Sequence, residues 1–154
     1  MRKIQKPAGG EYAPYAIMYI DLVPDDGLVL QHLLSDLQMV KDLISAQPEE
    51  KLVTRCAEGE WTIKEILVHV IDAERIFTYR ALRIARGDET PLPSFEQDDY
   101  VKNGGFSART LADLVEEFDA VRGASISLFR SFDEAAWGRR GVPASAVKRS
   151  RRQG

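Results

Sequence analysis

Residues 62–86, TIKEILVHVIDAERIFTYRALRIAR, run twenty-five positions without a proline or glycine, and Gly87 follows. Few stretches constrain a chain more. Thr62 and Glu65 have the spacing of a capping box, in which hydroxyl and carboxylate each satisfy a free backbone N–H. Ile63, Ile66, Leu67, Val70, Phe77, Ala81, Ile84 and Ala85 recur at the 3.6-residue period of an amphipathic helix. The spacing predicts a helix over residues 62–86, closed by Gly87. At about 1.5 Å per residue it is some 37 Å long, so the rest of the fold must pack along it.

Two other segments carry the same period. Leu30, Leu33, Leu34, Leu37, Val40 and Ile44 mark a first helix that begins at the Pro24-Asp25-Asp26 start signal, runs to about Gln47 and stops at Pro48. Leu111, Leu114, Val115, Phe118, Val121, Leu128, Phe129 and Phe132 mark a third. It starts near Ser107, a good N-cap, and stops near Phe132, with one more helical turn over residues 133–137. Residues 1–24 read as an irregular lead anchored by Tyr12, Tyr15, Ile17, Tyr19, Ile20 and Leu22. Residues 88–107 read as a long link carrying Glu96, Asp98, Asp99 and Tyr100. No strand pattern competes. The expectation is an all-α protein of three long helices packed antiparallel, with residues 1–137 as the helical domain and residues 138–154 as an irregular basic tail.

Charge and cysteine content exclude several classes. Six of the 21 basic residues and none of the 24 acidic ones fall in residues 138–154, so an acidic body precedes the tail. Lys148, Arg149, Arg151 and Arg152 are suited to phosphate contacts, but the body offers no basic face, and nucleic acid is not the expected partner. Cys56 is the single cysteine, which excludes an internal disulfide and fits a reducing cytoplasm. Glu11, Pro14 and Asp21 interrupt any signal-peptide core, and no run approaches the ~20 apolar residues that span a bilayer.

Two charges stand inside apolar stripes. Glu74 has Val70, Phe77 and Ala81 as its i−4, i+3 and i+7 neighbours; Arg122 has Phe118, Ser125 and Phe129 in the same places. A buried charge without a partner costs several kcal/mol, so the two are expected to meet across the helices as a structural ion pair. His69 sits on the stripe's flank, about 60° from Ile66. On residue chemistry alone it reads as structural, because a metal centre needs three or so protein ligands and no HExxH, HxxxH or CxxC is present. His32 lies opposite its own stripe and reads as solvent-facing, as does Asp72.

Three segments shift that reading of His69: EYAPY, EGEWTIKEILVHVIDAERIFTYRALRIARGDETPLPSFEQDDYV and LVEEFDAVRGASISLFRSFDEAAWGRRG. They resemble the DinB superfamily of bacterial four-helix proteins over about residues 11–141, and the run W-[ST]-x-K-E-x-L-x-H-[ILV]-x-D-x-E-R is specific as a whole. The resemblance implies a DinB-like four-helix bundle and a metalloprotein of hydrolase or thiol-dependent S-transferase type, acting on a small molecule that the sequence does not name. It implies a divalent metal (Zn, Ni or Mn) held by one histidine of the second helix and an H-x3-H pair of the fourth. The first carries over onto His69. No histidine follows it, and VPASAVKRSRRQG stands where the resemblance implies a fourth helix. The expectation is a shortened C-terminus and an incomplete metal site with no assignable catalytic residue. Glu96, Asp98 or Asp99 are conceivable oxygen ligands with no spacing to recommend them. An apolar groove left by the missing helix would be filled by the N-terminal segment or by a second chain, giving a homodimer. The alternative is a non-catalytic, dimerising helical module without bound metal.

Overall fold

The computed structural model describes residues 2–142. Their regular structure is helical, with an isolated bridge at Leu92 and no longer strand among the described residues. The chain forms two compact units, Met1–Leu43 and Ile44–Gly154.

In the first unit a 3-10 turn, Pro14–Ala16, leads into the one-turn helix α1, Ile17–Ile20. The lead is therefore partly ordered. Of its expected anchors, Tyr12 and Ile20 are half-buried, while Tyr15, Ile17, Tyr19 and Leu22 are exposed, because a single helical turn spreads its side chains over all directions. Helix α2, Val29–Ser45, begins later than the Pro24-Asp25-Asp26 signal suggests. Asp26 instead builds a turn: its Oδ1 accepts the Leu28 N–H at 2.8 Å, and Gly27 adopts φ +74°, where a side chain would be strained. The Gly27 carbonyl accepts the Ile4 N–H at 2.9 Å. His32 is half-buried and engaged with the Asp26 carboxylate at 2.9 Å, so it is not a freely solvated residue.

In the second unit Pro48 N-caps a short helix that periodicity misses, α3, Glu49–Val53, pinned by buried Leu52. Helix α4, Ile63–Ala85, has the expected ends. Thr62 Oγ1 accepts the Glu65 N–H at 3.2 Å, and Glu65 Oε2 accepts the Thr62 N–H at 2.7 Å. At the other end Gly87 (φ +74°) donates to the Ile84 carbonyl and Asp88 to that of Arg83, the paired bonds of a Schellman motif. The link contains α5, Gln97–Asn103, and a 3-10 turn, Phe106–Ala108. That turn takes up Ser107, so helix α6, Leu111–Arg130, starts at Thr110, whose side chain accepts the Asp113 N–H. Asp133 caps α7, Glu134–Trp137. Arg139 donates to the Ala85 carbonyl, and the Val142 carbonyl accepts the Leu92 N–H at 3.0 Å. The opening of the basic segment is thus tied down, while residues 143–154 lie outside the described residues.

Antiparallel packing does not hold for α4 and α6. Lys64 Nζ donates to the Arg109 carbonyl at 2.7 Å, Arg122 to Glu74 at 2.9 Å, and Thr78 and Ser125 share a hydrogen bond at 3.0 Å. At the far end Ala85 packs with Phe132 and Ala136. Residue numbers rise together along both helices, so they run parallel. A parallel pair needs a connection that travels back the length of a helix, ~34 Å for α4, which accounts for the long segment between them.

The buried face of α4 keeps only part of the expected stripe. Leu67 and Ala85 are buried as expected, Val68 and Ile71 are buried beside them, and Leu114, Phe118 and Ile126 are the buried apolar residues of α6. Ile66, Val70 and Phe77 are 48%, 38% and 58% exposed. The helix is apolar on two adjoining faces, and period alone does not say which one the core takes.

Candidate metal centre and the charged seam beside it

His69 lies in the second turn of α4, half-buried. Its ring meets the indole of Trp61, centroids 4.9 Å apart and planes tilted by 52°. Trp61 immediately precedes the capping box, and the backbone there is held from a second side. Arg55 Nη2 donates to Glu65 Oε1 at 2.8 Å, and Arg55 Nη1 donates to the Glu60 carbonyl.

One turn further on, Asp72 is half-buried rather than solvated, and burial pushes its carboxyl above the usual value. Arg75, 3.6 Å away, pulls in the opposite direction, while the charge of Glu117 adds to the rise. Glu117 accepts from both Arg75 and Arg109, and Arg109 also binds Asp113. Burial raises the Glu117 carboxyl, but the two arginines outweigh it and hold it below the ordinary range. Hydrogen bonds to Asp113 and Glu117 raise the already high pKa of Arg109 further. The buried Lys64 ammonium sits at the start of this seam, on the Arg109 carbonyl.

Glu74, the residue before Arg75, turns to the core. Arg122 Nε reaches both of its carboxylate oxygens, at 2.9 and 3.0 Å. The side chains are only 13% and 8% exposed. The Arg122 guanidinium also lies over the Phe118 ring at 5.1 Å, and Thr78 and Ser125 extend the polar layer by one turn.

A three-ligand metal centre does not fit these donors. No group of three or more His, Cys, Asp or Glu side chains able to hold an ion occurs among the described residues, and residues 143–154 contain none of those four residue types. Asp72 and Glu117 face arginines, His32 faces Asp26, and Cys56 is exposed. Glu96, Asp98 and Asp99 join no such group. Sequence reasoning singled out His69, Glu74 and Arg122 but missed the Trp61 contact and the Arg75–Glu117–Arg109 seam. The signals were present: a tryptophan one position before the capping box, and an arginine adjoining Glu74 with an acid five residues before Arg122.

A helical protein whose central helix carries a lone, packed histidine beside a charged seam is the class that fold and site define. Residues 32–153 match the DinB superfamily, and the chain belongs to it. The fold is similar to that of a solved structure, YfiT from Bacillus subtilis, described as a probable metal-dependent hydrolase with an unusual four-helix bundle topology. The likeness has a TM-score of 0.70 over 90% of this chain and 78% of that one, at 15% identity. No curated protein matches the sequence. No helix among the described residues is long and apolar enough to cross a membrane.

Proposed function

We propose that this chain is a DinB-type protein of the divalent-metal-dependent hydrolase or thiol S-transferase kind, with His69 as its share of a metal site that these residues leave incomplete. The observation that carries the reading is His69 itself. It occupies the histidine position of the W-[ST]-x-K-E-x-L-x-H run on α4, half-buried and packed against Trp61. The probable metal dependence of the YfiT hydrolase supports the class. A small-molecule substrate and a cytoplasmic location belong to the same proposal, as does the division into a helical domain, residues 1–137, and a basic tail, residues 138–154. Metal content of the purified protein tests it. Stoichiometric Zn, Ni or Mn, lost in His69→Ala, supports the reading; metal-free protein that fails to take up added ion ends it.

A second reading is favoured by the exposed apolar row Ile66, Val70 and Phe77 on α4. In it the protein is a dimerising helical module without metal chemistry. Sedimentation of the wild type and Phe77→Glu tests its dimerising part: a dimer that the substitution dissociates is expected, and a wild-type monomer removes that part, while metal content separates this reading from the first.

A further inference from the structure

We propose that Trp61 is the positioning residue of His69: its indole holds the imidazole in one orientation before any ion or substrate arrives. The proposal rests on the reading that His69 carries the site's chemistry, but the orientation it describes exists without a ligand. Three observations converge on it. The rings are in van der Waals range, at 4.9 Å between centroids, and their 52° tilt is neither a stack nor an edge contact. Trp61 has little freedom to leave, because its neighbour Thr62 is fixed by both bonds of the capping box. The preceding loop is tied by Arg55 to the Glu60 carbonyl and the Glu65 carboxylate. Glu65 therefore serves twice, capping α4 and anchoring the loop that delivers the indole. A histidine on the flank of a helix ordinarily samples several rotamers. With a ring wall against one face, the imidazole loses that freedom and presents its nitrogens along a fixed direction, which is the preorganisation a ligand or proton-transfer group needs.

The test is NMR of the full-length protein, in which His69 and His32 are the only imidazoles. In wild type and in Trp61→Phe, the His69 ring keeps an aromatic ring-current shift and an order parameter close to that of the α4 backbone that carries it. In Trp61→Leu the ring-current shift is lost and the order parameter falls below about 0.6, with α4 amide shifts unchanged beyond its first turns. A His69 ring equally rigid in Trp61→Leu overturns the proposal, as does a ring already mobile in the wild type. If Trp61→Leu unfolds, Trp61→Met, which keeps bulk without a ring, replaces it: a mobile His69 ring supports the proposal and a rigid one overturns it. Titration with Zn2+ separates the two claims. A rigid His69 whose resonances ignore the ion upholds the positioning and defeats the metal reading.

Discussion

Consecutive residues of α4, Glu74 and Arg75, each pair with a charge on α6, and the two pairs differ in nearly everything except chemistry. Glu74 and Arg122 are 13% and 8% exposed; Arg75 and Glu117 are 48% and 19% exposed. One step along a helix is a turn of about 100°, enough to carry a side chain from the core to the rim. The buried pair has been stripped of water and survives only because each partner answers the other. The rim pair keeps access to solvent and is screened by salt. The lesson is that ion pairs on one pair of helices need separate treatment. The inner pair fixes which turns of α4 and α6 face each other, and the outer one extends a seam that can be rearranged at little cost.

The largest effect should come from breaking the inner pair one-sidedly. Arg122→Ala leaves Glu74 buried and unanswered, and is expected to destabilise the protein by about 3–5 kcal/mol in urea unfolding. The double variant Glu74→Leu/Arg122→Met should recover most of that loss, since a well-packed apolar replacement of a buried pair is often neutral or better. If the double variant is as weak as the single one, the pair is holding more than charge balance. If Arg122→Ala costs under about 1 kcal/mol, the contrast between inner and outer pairs collapses.

A second, somewhat smaller contrast concerns the two apolar faces of α4. Ile71→Ala empties a fully buried site and should cost about 2–5 kcal/mol. Ile66→Ala, on the exposed row, should stay within about 0.5 kcal/mol. A large loss at Ile66 would show that the row is covered in solution.

These contrasts also mark what could be read in advance. The ends of α4 were legible because Thr62, Glu65 and Gly87 act locally, through bonds that span a few residues. The family was legible in the W…H…D…ER run. The direction of α6 was not: amphipathic period is the same for parallel and antiparallel neighbours, and only the long-range pairings Lys64–Arg109 and Thr78–Ser125 decide it. Helix α5 was invisible for another reason. It is seven residues long, buries Val101 alone and lies between Pro93 and Gly104, so it has no period to detect. The choice between the two apolar faces of α4 was hidden likewise, because Val70 and Ile71 are both β-branched aliphatics, yet Val70 is 38% exposed and Ile71 is fully buried.

The smallest effect lies on the outer pair, and its sign is opposite at Glu117 of α6 and at its neighbour Asp72 of α4. Arg109 and Arg75 hold the Glu117 carboxyl below its ordinary value against the upward push of burial. A depressed folded pKa contributes stability above the unfolded value, about 4.3, and that contribution fades as pH falls through the folded pKa. Glu117→Gln should therefore cost up to about 1 kcal/mol at pH 7, and progressively less below pH ~4. Asp72 works the other way. Burial raises its carboxyl, so its ionisation opposes folding at neutral pH and Asp72→Asn should be neutral or mildly stabilising there. That difference should vanish in acid, where Asp72 is protonated in both states. Raising NaCl to ~1 M, where the screening length is ~3 Å, should erase most of the Glu117 effect while leaving the cost of Arg122→Ala nearly intact. A Glu117→Gln penalty that persists at high salt and at low pH would mean that Glu117 acts through packing, and the outer seam would then belong with the inner pair.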